Sequence, residues 1–160
     1  MNRRPSILRP STALPSLLAL ALAAGWGWRE VVHAQAGRAI TPSQTVTLED
    51  VAMKVYFDGD KPVGRIGLYL EGETQASRSL VTGRFVIDPG KSPHAPHVHP
   101  DEEILIVESG RGEIFCDGKT TKVGPGSVMF SAPDVPHNIT NTGTEPLTFY
   151  SMKWLPKAPK

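Results

Sequence analysis

From residue 45 to residue 154 the chain meets a turn signal every eight to twelve residues, and this rhythm allows only short elements. Fifteen glycines and fifteen prolines in 160 residues supply most of the punctuation. Between the turns lie runs that read as strands: residues 45–47, 51–57, 64–71, 80–87, 103–107, 112–116, 120–123, 127–131, 137–141 and 147–154. Asp117-Gly118 is a strong hairpin signal. No convincing helical period appears among them. Many short strands with no helix to cover a sheet predict an all-β sandwich or closed barrel in one domain, over residues 45–155. Ile104, Ile106, Ile114, Val128, Phe130 and Leu147 are candidates for its interior wall, and Tyr150, Met152 and Trp154 for core packing along the last strand. Residues 156–160 form a tail.

Three of the five histidines fall in one stretch, residues 90–103, reading GKSPHAPHVHPDEE. Prolines 93, 96 and 100 exclude a helix, since each lacks an N–H and pushes the preceding residue towards extended backbone. His97 and His99 therefore lie on extended chain, where residues i and i+2 point to one face, roughly 7 Å apart. Pro100-Asp101 reads as a turn, after which Glu103 opens a strand and returns beside the imidazoles. His137 is the remaining histidine outside the N-terminal region. His97, His99, Glu103 and His137 are thus candidate ligands for one divalent transition-metal ion. Three imidazoles with a carboxylate suit Fe, Mn, Ni, Cu or Zn. The competing readings are a surface His-x-His and a solvated Asp-Glu-Glu turn. His94 is expected to be solvent-exposed or to support the site without ligating.

These residues resemble the two motifs of the cupin family. Gly90, His97, His99, Glu103 and Gly110 match the first, with six residues in place of five between Gly90 and His97. Gly126, His137 and Asn141 match the second, in which Ala132-Pro133-Asp134 replaces the usual Pro-x-Gly. The resemblance covers roughly residues 45–155. It implies a double-stranded β-helix, or jelly-roll barrel, with a metal at one mouth. It also implies membership of a family that includes dioxygenases, isomerases, epimerases and lyases, so the reaction stays open. Two further expectations concern polar residues near the motifs: Asn141 supports its loop by hydrogen bonding, and the Asn138-Ile139-Thr140 glycosylation sequon is a chance match.

Residues 1–36 carry Arg3, Arg4 and Arg9, an apolar run over 13–24, and Ala34-Gln35-Ala36. That is the layout of a secretory signal peptide cleaved after Ala36. The apolar run is shorter than the roughly 20 residues that span a bilayer. An uncleaved anchor extended by Trp26 and Trp28 is the alternative. Arg3-Arg4 also fits a loose twin-arginine signal. The expected product is an exported protein, periplasmic or secreted, with residues 37–44 as a linker and no stable membrane insertion. Loss of the segment, with four arginines and Glu30, takes the net charge from +1 to −2. No basic stripe remains, so nucleic acid is not an expected partner. Cys116, the single cysteine, allows no internal disulfide and reads as a small buried hydrophobe.

Functionally, the sequence points to a metal-dependent enzyme of dioxygenase, isomerase or lyase type acting on a small oxygen-rich or aromatic molecule. Glu103 is the one candidate for a catalytic base, since no cysteine, lysine or serine stands in a nucleophile motif. The alternatives are a non-catalytic module binding metal or a small ligand, and a scaffold with a degenerate site. A homodimer is expected for a barrel this small.

Overall fold

The computed structural model describes residues 39–41 and 43–158. The expected signal peptide lies outside them. The described chain holds one turn of 3-10 helix, Leu48–Asp50, and nine strands. These are β1 (Lys54–Asp58), β2 (Lys61–Gly72), β3 (Ser77–Ile87), β4 (Glu102–Ser109), β5 (Gly112–Cys116), β6 (Lys119–Val123), β7 (Val128–Ser131), β8 (His137–Asn141) and β9 (Leu147–Pro156). They form two antiparallel sheets in the orders β1-β2-β3-β9-β4-β7 and β6-β5-β8. β9 thus runs between β3 and β4, far from it in sequence, as a jelly roll requires.

Residues 45–47, expected to be a strand, are irregular and lead into the 3-10 turn. Thr47 and Asp50 explain the difference. The Thr47 hydroxyl and backbone N–H both donate to Asp50 Oδ2, at 2.8 and 3.0 Å, closing a capping pair that a strand could not make.

The core lies between the sheets and contains Phe85, Ile87, Leu105, Val107, Ile114, Met129, Ile139, Leu147 and Phe149. Phe85 and Phe149 stack at a 5.0 Å centroid separation. Ile114 and Leu147 take their expected interior places, but Ile104, Ile106, Val128 and Phe130 do not. The strand period of two is the cause. β4 turns Glu103, Leu105 and Val107 inward, which puts Ile104 and Ile106 on the outer face. Their β7 partners Phe130 and Val128 follow them outward and are 56% and 63% exposed. Tyr150 and Met152 pair with Ile106 and Ile104 on the same outer face, and Trp154 follows. The inward set of β9 is instead Leu147, Phe149, Ser151 and Lys153.

The inner face of the large sheet therefore changes character along its strands. Its Leu147–Phe149 end is apolar. At the other end Ser131, Glu103 and Lys153 form one row, since Glu103 pairs with Ser131 on one side and Lys153 on the other. All three are buried. The candidate metal ligands gather at this polar end.

Gly110 closes the β4–β5 turn at φ +83°, and a Cβ there would stand 2.5 Å from the Pro146 carbonyl oxygen. Only glycine meets both demands.

Candidate metal centre

His97 and His99 are extended as expected but belong to no strand. An isolated antiparallel bridge fixes His97 to His137. The backbone N–H of His97 donates to His137 O at 3.2 Å, and that of His137 to His97 O at 3.1 Å. β8 thus carries one ligand in its own strand and holds a second through its first residue. Glu103 comes from the start of β4, after bends at Pro100 and Asp101.

The loop before β8 also touches the site. Asp134 occupies the left-handed region at φ 59° and donates its N–H to His99 O at 2.8 Å. Aspartate tolerates that backbone better than most residues. The Ala132-Pro133-Asp134 loop is thus tied to the His99 backbone.

The structure brings all four candidate ligands together. Ring centroids of His97, His99 and His137 lie 4.7–5.2 Å apart. One potential ligand atom from each falls within 4.8 Å of the others, a group that could hold a metal ion. Glu103 Oε2 lies 3.0 Å from His99 Nε2 and 2.9 Å from His137 Nε2. Two donor atoms each about 2.1 Å from an octahedral ion and at right angles would be about 3.0 Å apart.

The tautomers sharpen this fit. His137 Nδ1 donates to Val135 O at 2.8 Å, and Ser131 Oγ stands 3.1 Å from the same nitrogen. His99 Nδ1 donates to Asp101 O at 3.1 Å. A carbonyl only accepts, so each Nδ1 carries the hydrogen, and in a neutral ring each Nε2 turns a lone pair towards Glu103 Oε2. Three acceptors pointing at one another need a cation between them or a proton on the rings. Both ring nitrogens of His97 are buried as well. The donor set thus fits a divalent ion on chemistry as well as on distance.

In the metal-free protein a proton on the rings takes the place of the cation. Burial alone would raise the Glu103 carboxyl, but hydrogen bonds from His137, His99 and Ser151 override it and hold the group far below the usual carboxylate range. Burial lowers His97 to about 3, with the neighbouring histidines adding to the effect, so its imidazole is neutral and ready to ligate. Burial is the largest single influence on His137 and lowers it, but the hydrogen bonds to Glu103 and Val135 O and the Glu103 charge together leave it above the ordinary histidine value.

His94 is neither a ligand in this geometry nor free in solvent. Its ring meets that of His97 edge-on at a centroid distance of 3.9 Å, and its Nδ1 donates to Ala95 O at 2.8 Å. Burial lowers its pKa. Asn141 is fully buried and supports its loop as expected, donating to Ile87 O and Glu145 O and accepting from Gly143 N–H. Asn138 donates to Ser92 Oγ at 3.4 Å. Cys116 is half-buried against the core, and burial raises its thiol.

Beside the ligands lies a cavity of about 20 Å³, room for roughly one water molecule. Phe85, Leu105, Ile139 and Phe149 give it apolar walls, and Pro93, His94, Asn138 and Ser151 complete the lining with the ligands His97, Glu103 and His137. The sequence reading missed Ser131, Ser151, Lys153 and the Val135 carbonyl. The only signal for the serine and lysine on β9 was their place two and four residues after Phe149, in phase with a buried face.

A two-sheet β-helix with three histidines and a glutamate at its polar end is the architecture of a cupin. Residues 83–153 match the cupin domain family, and the described residues have the cupin fold. Solved structures show the same fold. One is a protein from Thermotoga maritima described as a predicted oxalate decarboxylase, at 22% identity and TM-score 0.59, over 70% of this chain and 99% of that one. Another is KdgF from a Halomonas species, at 16% identity and TM-score 0.57, over 73% and 96%. A third is an RmlC-like cupin from Shewanella frigidimarina, at 16% and 0.55, over 71% and 91%.

Proposed function

We propose that the chain is an exported metal-dependent enzyme acting on a small, oxygen-rich molecule. The convergence of His99 Nε2 and His137 Nε2 on Glu103 Oε2, at 3.0 and 2.9 Å, carries this reading. His97, His99, Glu103 and His137 would hold one divalent ion of Fe, Mn, Ni, Cu or Zn. Once bound, the ion supplies a Lewis-acid centre that polarises substrate oxygens or takes part in dioxygen chemistry.

The remaining steps belong to the chain. Val135 O and Asp101 O fix the Nδ1 hydrogens of His137 and His99 and so aim both Nε2 atoms inward. Phe85, Leu105, Ile139 and Phe149 keep bulk water from the ligands. A cavity of about 20 Å³ suits a ligand that reaches in with one or two oxygen atoms. An enediol or small carboxylate fits that description better than a buried aromatic ring. Tyr150 and Trp154 stand on the outer face of the sheet, away from the cavity. Glu103 Oε1 accepts from Ser151 while Oε2 faces both Nε2 atoms, which favours a ligand over a mobile base.

The narrow cavity equally favours a second reading, a module that binds metal or a small ligand without turnover. Export to the periplasm or medium after cleavage at Ala36, and assembly as a homodimer, complete the proposal.

The test is the metal content of residues 37–160, purified without chelators or a histidine tag, beside His97→Ala and His137→Ala. Near-stoichiometric metal, lost in both variants, is expected. Turnover in oxygen-uptake and product assays with enediols, phenols and small carboxylates separates enzyme from binding module. A wild type that takes up no metal on reconstitution overturns the enzyme reading and the metal-binding module alike.

A further inference from the structure

Ser151 stands outside the ligand set yet touches it. It sits on the inward face of β9, 7% exposed, and pairs with Leu105 two residues beyond Glu103. Its Oγ donates to Glu103 Oε1 at 2.5 Å. The other carboxylate oxygen, Oε2, is the one that His99 and His137 approach. The two oxygens of Glu103 therefore have separate partners, on opposite sides of the carboxylate. Ser151 also lines the cavity, so its side chain stands between the apolar wall and the ligand group.

We propose that Ser151 is a positioning residue that makes Glu103 a one-oxygen ligand and so preserves an open coordination position for substrate. The inference rests on the metal reading above. A carboxylate binds an ion through one oxygen or both, and the two modes differ by a small rotation about its last torsion. The hydroxyl of Ser151 opposes that rotation, because turning Oε1 towards the ion breaks a charge-assisted hydrogen bond in a buried site. Without the hydroxyl, Oε1 loses that hydrogen bond, and the ion competes for it. The second oxygen then fills a position that a substrate oxygen would otherwise take. Serine suits the task, being short enough to stay on β9 and carrying one donor. Threonine keeps that donor, and alanine removes it at nearly constant backbone geometry.

The test uses the chain loaded with Co(II), whose visible absorption weakens as coordination number rises, and azide as a probe for the open position. Wild type, Ser151→Ala and Ser151→Thr are compared by Co(II) spectrum, Co(II) affinity and azide affinity. The expected result is a weaker visible absorption for Ser151→Ala and an azide affinity lower by about tenfold or more. Ser151→Thr should restore both towards wild type, a rescue that a purely structural role would not give. If Ser151→Ala does not fold, judged by its thermal transition without metal, the test passes to Ser151→Gly, which also lacks the hydroxyl and removes volume. A wild type that binds Co(II), with a hydroxyl-free variant that matches it in spectrum and azide affinity, overturns this proposal alone. A wild type that binds no Co(II) overturns the metal reading and this proposal with it.

Discussion

Asn141→Ala offers the most quantitative check on how the site is held. Asn141 is fully buried, and its side chain makes three hydrogen bonds, to Ile87 O at 2.9 Å, Glu145 O at 2.8 Å and Gly143 N–H at 2.9 Å. Its backbone joins the same region, with Gly90 N–H donating to Asn141 O and Asn141 N–H to Lys91 O. The residue therefore ties the end of β3, the start of the histidine stretch and the β8–β9 turn into one unit. Alanine keeps the backbone pair and removes all three side-chain bonds. Each is worth about 1 kcal/mol net, and the Ile87 carbonyl, deprived of this donor in the interior, adds a desolvation cost of about 1–3 kcal/mol. The expected loss is about 4–6 kcal/mol, a large part of the 5–15 kcal/mol typical of a domain. With a urea m-value of about 1.5 kcal/mol/M, the midpoint should fall by about 3–4 M. Urea titration of the metal-free protein, followed by tryptophan fluorescence, measures it. Asn141→Asp is a control that keeps an acceptor for Gly143 but sets a carboxylate against two carbonyls, and it should be at least as damaging. A loss below about 1 kcal/mol for alanine, or a tolerated aspartate, would refute the reasoning.

Three other outcomes follow from the same structure. In the metal-free protein, His97 is lowered from 6.5 to about 3 when folded, so between those values the unfolded chain binds more protons and stability should fall as the pH falls; urea midpoints of wild type and His97→Ala across that window should differ in slope, and equal slopes would count against the burial of His97. Gly110→Ala should destabilise by about 2 kcal/mol or more, because the residue sits at φ +83° with no space for a Cβ; a neutral result in thermal denaturation would contradict that turn. Leu105→Ala should cost about 2–5 kcal/mol, whereas Phe130→Ala, exposed on the outer face, should cost less than about 1 kcal/mol in a monomer; a large, concentration-dependent loss at Phe130 would mean that a second copy covers this face.

Much of the fold was legible because its punctuation is local. The spans of β5 and β8 follow from alternation bounded by glycine, proline and aspartate, and both agree with the structure at each end. The ligand group was legible for a similar reason, since prolines fix the extended chain around His97 and His99. Facing was the weaker part. In β4 the most apolar residues, Ile104 and Ile106, would normally mark the inner face. Glu103 reverses that expectation, because its carboxylate points inward to His99 and His137 and the strand period then carries Leu105 and Val107 with it. The same phase propagates through β7 and β9 by register, which a sequence does not display. Ser151 and Ser131 were invisible as partners of Glu103 and His137 because 48 and 6 residues separate the pairs and only the folded sheet makes them neighbours.

The bridge between His97 and His137 has a consequence for how such a site can change. Two candidate ligands 40 residues apart are set against each other by peptide groups alone, through hydrogen bonds of 3.2 and 3.1 Å that any residue other than proline could make. The frame does not depend on what the side chains are. A lineage, or a designer, can therefore exchange imidazole for carboxylate, amide or thiolate at either position and sample new metal preferences while the peptide clasp stays shut.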